Sequence, residues 1–218
     1  MPIQMDDETK AQVKAIFDKL VNDVKLIVFV TEDPSCQFCN ETAELIELVS
    51  SMSDKISFEK HVCQSADCEE AKKYKVDKFP AIILHGAKPY NIRYFGIPSG
   101  HEFGALIEDI VHASTGQPDL SQEAIDEISK IDKELHLQVF ITPTCPYCPI
   151  SVHMAHQAAM VNDKITADMV EAMEFPDLAR KYNVYGVPKT VINDKVEFEG
   201  AVPEQYFLQM LLKAANES

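Results

Sequence analysis

The chain has 218 residues, 46% hydrophobic and 25% charged, a balance that fits a water-soluble fold of one large or two ordinary domains. Its net charge of −15 argues against binding nucleic acid or an anionic membrane surface. No apolar run reaches the about 18 residues a membrane-spanning helix needs, and the acidic opening Met1-Pro2-Ile3-Gln4-Met5-Asp6-Asp7-Glu8 lacks a signal peptide's basic and apolar regions, so a cytoplasmic address is expected.

In chain order, residues 9–21 have helical periodicity, with Val13, Ile16, Phe17 and Leu20 on one face. Residues 25–31 are apolar through their middle and read as a central strand. The pair Cys36-Gln37-Phe38-Cys39 follows, then a helix over 41–52 that leaves Glu41, Glu44 and Glu47 on an exposed stripe. A strand is expected over 56–62 and a short helix over 66–74. Strands over 81–84 and 92–95 flank a turn at Gly86-Ala87-Lys88-Pro89, and an amphipathic helix over 101–112 closes the half. Gly116 and Pro118 then punctuate the chain. The second half reads as a helix over 121–131, a strand over 137–141, the pair Cys145-Pro146-Tyr147-Cys148 and a helix over 150–161. A strand over 165–170, a helix near 177–182, a hairpin over 190–198 turning at Asn193-Asp194, and a helix over 204–215 complete it.

The chain is thus written twice. Val28-Phe29-Val30-Thr31 matches Val139-Phe140-Ile141-Thr142, and the segment from Tyr74 to Pro80 matches that from Tyr182 to Pro188. First cysteine and proline lie 44 residues apart in one half and 43 in the other, and the period of 109 residues is the size of a domain. Two α/β domains are expected, 1–115 and 119–218, packed together because the linker is too short to be a flexible tether.

The order αβαβαββα, with Cys-x-x-Cys after the first strand and a proline opening the third, resembles the thioredoxin fold. Over nearly the whole chain it resembles the two-domain, glutaredoxin-like protein disulfide oxidoreductases of thermophilic archaea and bacteria. The resemblance implies two thioredoxin-like domains, each a mixed central sheet flanked by helices. It also implies reduction, oxidation and isomerisation of protein disulfides. No bound cofactor is expected beyond the redox-active disulfides, with electrons supplied by a separate thioredoxin-reductase-like donor. It further implies that Phe79-Pro80 and Val187-Pro188 are cis peptides facing the cysteines. There the neighbouring backbone can pair with a substrate peptide, with Phe38 and Tyr147 also on the substrate side. Thioredoxin keeps a buried Asp six residues before its first cysteine; Val30 and Val139 stand at that spacing here. Glu32 lies near the first site in sequence and Glu171 ends a strand in the second half; either could serve a proton relay, but both read as solvated surface carboxylates.

A thiolate at a helix start is stabilised by the helix dipole and by free N–H groups. Cys36 and Cys145 are therefore expected to attack from the open helix end, with Cys39 and Cys148 one turn inside as resolving thiols. A four-thiolate zinc site is opposed by the more than a hundred residues between the pairs. An iron–sulfur cluster shared between two chains is a further alternative, and no metal is expected. Cys63 and Cys68, five residues apart, fit a local structural disulfide, which is favoured, two free thiols, or a third exchange site. His153 and His156 lie on a helix without charged residues from 151 to 160, which reads as buried between the halves.

Other functions stay open: a glutathione-dependent glutaredoxin, a dedicated electron donor to a peroxidase, or a binding or chaperone module on the same fold. Glutathione binding would use a glycine pair after the last strand, where this chain has Gly200 followed by Ala201-Val202-Pro203. Gln37 and Pro146 set the two loops apart, since Pro146 stiffens the second. Redox titration of two variants, each retaining one pair, is expected to give distinct potentials; equal potentials would refute this.

Overall fold

A computed structural model describes residues 5–217, so the first four residues of the acidic opening lie outside it. In the first half, α1 (Asp7–Phe17) is capped by Asp6, whose carboxylate accepts the Thr9 N–H at 2.8 Å. It stops at Phe17, short of the expected residue 21; Leu20 is buried from the following loop and Val21 is exposed. Then come β1 (Val24–Val30), α2 (Cys39–Ser50), β2 (Ile56–Val62) and α3 (Glu69–Lys73). The half ends with β3 (Ala81–His85), β4 (Pro89–Phe95) and α4 (His101–Thr115). The second half repeats the order: α5 (Gln122–Ser129), β5 (Leu135–Ile141), α6 (Cys148–Val161) and β6 (Ile165–Glu171). It closes with α7 (Pro176–Lys181), β7 (Lys189–Ile192), β8 (Val196–Glu199) and α8 (Glu204–Asn216). Helix α3 is shorter than expected because Cys68 caps it, accepting the Ala71 N–H on its sulfur. Strand β4 starts earlier than expected, at Pro89, which its place at the strand's first residue allows.

Strand alternation separates two cores. Leu26, Val28 and Val30 point into a large core with α1, α2, α4, α5, α6 and α8, while Ile27 and Phe29 point into a smaller one with α3 and α7. In β5, Leu137, Val139 and Ile141 enter the large core and Phe140 the small one.

The two halves share one eight-stranded sheet, ordered β2-β1-β3-β4-β6-β5-β7-β8. Each half contributes a parallel pair (β1 with β2, β5 with β6) and two antiparallel steps. The seam is parallel, running from Ile92 opposite Ala167 to Phe95 opposite Val170. Going from β1 to β5 therefore crosses two antiparallel steps and two parallel ones. β1 and β5 consequently run the same way, and both cysteine loops leave the sheet at the same end.

The seam holds a buried ion pair. Arg93 Nε donates to Asp168 Oδ1 at 2.7 Å and Arg93 Nη2 to Asp168 Oδ2 at 2.8 Å, a bidentate geometry. Arg93 Nη1 donates to the Lys75 carbonyl at 2.6 Å, and His136 Nε2 reaches Asp168 Oδ2 at 2.6 Å. Burial alone would raise the Asp168 pKa, but Arg93 and His136 outweigh it and hold the carboxyl at about 2. Above the sheet, α4 packs on α6. There Asp109 accepts from His153 Nδ1 at 2.8 Å, His156 Nδ1 at 2.6 Å and the Tyr94 hydroxyl at 2.5 Å. The uncharged stretch of α6 thus lies between the halves, with both histidines on one carboxylate of α4.

Among the described residues, no helix is long and apolar enough to cross a membrane. Replacing Asp168 with Ala leaves Arg93 buried without its counter-charge, so urea denaturation should show a loss of about 3–5 kcal/mol. A loss below about 1 kcal/mol, the range of an exposed pair, would show that the seam does not depend on it.

Candidate active site

Both cysteine loops follow a buried strand and open a helix that packs on the sheet. The register differs from expectation by a turn's entry. Cys39 and Cys148 are the first helical residues of α2 and α6, and Cys36 and Cys145 stand in the turn ahead of them. At the second pair a free N–H of the first turn faces the first sulfur: the Cys148 N–H lies 3.1 Å from Cys145 Sγ. Phe38 and Tyr147 occupy the cap positions without a side-chain cap bond.

Each pair is closed as a disulfide, with Cα–Cα distances of 5.6 Å for Cys36–Cys39 and 5.5 Å for Cys145–Cys148. Exposure is graded within each pair: Cys36 is half-buried above a buried Cys39, and Cys145 is 8% exposed above a Cys148 at 0%. The Cys39 sulfur accepts the Thr31 N–H at 3.3 Å. Phe79–Pro80 and Val187–Pro188 are cis, and the Val187 carbonyl oxygen lies 3.7 Å from Cys145 Sγ. The two prolines are held alike: the Gly96 N–H donates to the Pro80 carbonyl at 3.0 Å and the Gly200 N–H to the Pro188 carbonyl at 2.8 Å.

The surroundings differ between the halves. Cys63 and Cys68 are bonded, tying the end of β2 to the cap of α3. The corresponding positions after β6 are Ala172 and Phe175: Cys63 N–H bonds to the end of β1 as Ala172 N–H does to the end of β5, and Phe175 caps α7 as Cys68 caps α3. A cleft of ≈ 330 Å³ beside the first pair is lined by Glu32, Asp33, Lys60 and both cysteines. Beside the second pair a groove of ≈ 580 Å³ runs past Met173, Arg180, Val184 and Tyr185 to Val187. Tyr185 is 92% exposed and Tyr147 65%. Among the described residues, no cluster of three or more His, Cys, Asp or Glu is arranged to hold a metal ion.

Three carboxylates escape or contradict the sequence reading. Glu32 is exposed as expected, but Glu171 is 3% exposed and so is not a solvated surface group. It is the last residue of β6, covered by the loop after β4: a Cβ on Gly96 (φ +95°) would sit 2.6 Å from Glu171 Cβ. Glu174, not singled out in sequence, is pushed up to about 7, chiefly by burial. Glu102, also missed, is fully buried, has neither carboxylate oxygen hydrogen-bonded, and is pushed up to about 8 by burial and then by Asp109. Its spacing to Leu106, Asp109 and Ala113 places it on the buried face of α4, a signal the periodicity does contain. The start of α4 abuts the second cysteine loop: His101 N–H donates to the Pro143 carbonyl at 3.0 Å, and a Cβ on Gly100 (φ +61°) would sit 2.3 Å from that oxygen. Val30 and Val139 are both buried but are not equivalent, since the first loop carries two more residues than the second and Val30 corresponds to Ile141.

A thioredoxin-domain family model matches residues 135–213. The fold and the paired cysteines are those of the thioredoxin-fold oxidoreductase superfamily. Among solved structures, the chain is similar to a protein disulfide oxidoreductase from Aeropyrum pernix K1, with TM-score 0.90, 28% identity, and coverage of 99% of this chain and 95% of that one. It is also similar to the NTD_N/C domain of alkylhydroperoxide reductase AhpF from Enterococcus faecalis (V583), with TM-score 0.85, 25% identity, and coverage of 95% and 100%. Among curated proteins it is 28% identical over 189 residues to a Bacillus subtilis (strain 168) NADH dehydrogenase, spanning 87% of this chain but 34% of that protein. It is 24% identical over 214 residues to the F component of alkyl hydroperoxide reductase from Staphylococcus aureus (strain Mu50), spanning 98% of this chain and 39% of the relative. The chain thus spans little more than a third of these curated relatives' length.

The buried carboxyl of Glu102 binds its proton more tightly in the folded chain than in the unfolded one. Its contribution to stability is whole below the ordinary glutamate range and is lost as pH rises through about 8. Thermal midpoints of the wild type should therefore fall between about pH 5 and 9, and Glu102→Gln, neutral throughout, should flatten that fall. An unchanged slope in the variant would remove Glu102 from the account.

Proposed function

We propose that the protein is a dithiol–disulfide oxidoreductase acting on protein disulfides. One observation carries the reading: two cysteine pairs, each beside a cis-proline, open from the same end of one sheet. The more exposed Cys36 and Cys145 attack, and the buried Cys39 and Cys148 resolve.

In the reducing direction, the first thiolate attacks one sulfur of a substrate disulfide and forms a mixed disulfide. The other substrate sulfur leaves as a thiolate and takes a proton. The resolving thiol loses its proton, attacks the first cysteine's sulfur, and releases the second substrate thiol. The substrate gains two electrons and two protons, and the cysteine pair ends as a disulfide. The reverse sequence oxidises a dithiol. A mixed disulfide attacked by another substrate thiol, before resolution, gives isomerisation. The exchange runs on the cysteine sulfurs, and the pairs are regenerated by a thioredoxin-reductase-like donor in a cytoplasmic setting. Substrate backbone pairs beside Phe79-Pro80 and Val187-Pro188, as an added strand would. At the second pair, Tyr147 and the groove bordered by Met173 and Tyr185 offer apolar contact. The Cys63–Cys68 bond serves structure, holding the α3 cap; its counterpart in α7 has Phe175 at the cap position without a side-chain bond.

A second reading is favoured by the likeness to the AhpF domain: the chain passes electrons from a reductase partner to a peroxidase. It uses the same sulfur chemistry with a dedicated acceptor.

Dithiothreitol-dependent reduction of insulin should fall to the uncatalysed rate when Cys36 and Cys145 are both replaced by Ser. An unaffected rate would sink the proposal. A wild type inactive on insulin but active on a peroxidase disulfide would select the second reading.

A further inference from the structure

We propose that the cleft between the two cysteine pairs is a subsite for a lysine or arginine side chain of the protein substrate. The inference rests on the disulfide-exchange reading and names a feature of the substrates it would select. The cleft, ≈ 340 Å³, is lined by Phe38 from inside the first pair, by Pro143 two residues ahead of Cys145, and by Met173, Glu41, Glu171 and Glu174. Its walls therefore come from both halves, and a chain docked at either pair passes its rim.

The chemistry of the lining selects a cation. Glu171, only 3% exposed, lines the cleft and has one carboxylate oxygen, Oε1, with no hydrogen-bond partner among the described residues. Its other oxygen accepts the Glu174 N–H at 2.6 Å, and Glu174 Oε1 accepts the Ile97 N–H at 2.7 Å. Both carboxylates are thus oriented by backbone, not by a basic side chain. Burial chiefly favours the protonated form of Glu174, and the like charges of Glu171 and Glu41 add to it. A buried acceptor without a donor is costly, and a guanidinium or ammonium supplies both the donor and the missing positive charge. Phe38, Met173 and Pro143 offer apolar contact to the aliphatic stem. The same lining repels an acidic segment.

The test uses full-length oxidised protein, labelled with nitrogen-15. A cysteine-free hexapeptide with a central Arg is titrated in, beside the same peptide with norleucine and with Glu. The Arg peptide should shift the Ile97 and Glu174 amides and bind at least about tenfold more tightly than the norleucine peptide, the gain expected of one charge-assisted contact. That gain should shrink in high salt and in Glu171→Gln. Should that buried substitution unfold the chain, Glu41→Gln at the partly exposed edge should still weaken the Arg peptide selectively. Equal affinities for Arg and norleucine, or shifts confined to the groove at Tyr185, would overturn the proposal. No turnover is needed, so a failure here is separate from a failure to reduce insulin.

Discussion

The parallel pairing of β4 with β6 is the constraint on which the rest of the molecule depends. Either strand alone would be a sheet edge, with a row of unpaired backbone groups. Joined, they make one sheet from two repeats, and the Arg93–Asp168 pair makes that register specific in charge as well as in backbone bonding. The cost of burying both ions is met by bidentate geometry and by the added bonds to the Lys75 carbonyl and His136. A one-residue slip would turn Arg93 and Asp168 to opposite faces of the sheet. The seam also sets function, because it aligns β1 with β5 and so brings both cysteine loops to one end.

The two sites share a frame and differ in what surrounds it. In both, a buried central strand delivers the loop, a helix begins at the second cysteine, and a cis-proline stands opposite. The first pair faces a charged cleft with Glu32, Asp33 and Lys60. The second faces a larger groove with an exposed tyrosine, and the α4 start is pressed on its loop by Gly100. The two repeats keep the same paired-cysteine geometry while each pair has different neighbours. The buried carboxylates lie where the halves meet, which is also where a second domain can exclude water from them.

Much of the fold was legible because its signals are local. Apolar runs ended in cysteine pairs, periodicity marked the helices, and the repeated spacing to Pro80 and Pro188 made the duplication visible. Errors fell where local signals stop. Leu20 continues the helical spacing of Val13, Ile16 and Phe17, yet the helix has already ended and Leu20 is buried from a loop. Glu171 looks like a strand-end carboxylate that solvent should reach, and only the loop at Gly96 from the other half covers it. Counting back from each cysteine equated Val30 with Val139, whereas the repeat alignment and the strand pairing both equate Val30 with Ile141, because register follows the ladder and not loop length.

The sequence by itself determined the two thioredoxin-like repeats, the four cysteines of the Cys-x-x-Cys pairs and the prolines opposite them. These depend on short-range spacing: two residues between sulfurs, one strand before them, and one proline at a matched distance. The tertiary structure alone decided that the pairs share a face, that Glu171 is buried with Glu174 half-buried beside it, and that an acidic cleft joins the two loops. Each of these depends on which strand of one repeat bonds to which strand of the other. That choice is made by contacts between residues some 75 positions apart, such as Arg93 and Asp168, and no local pattern in the chain encodes it.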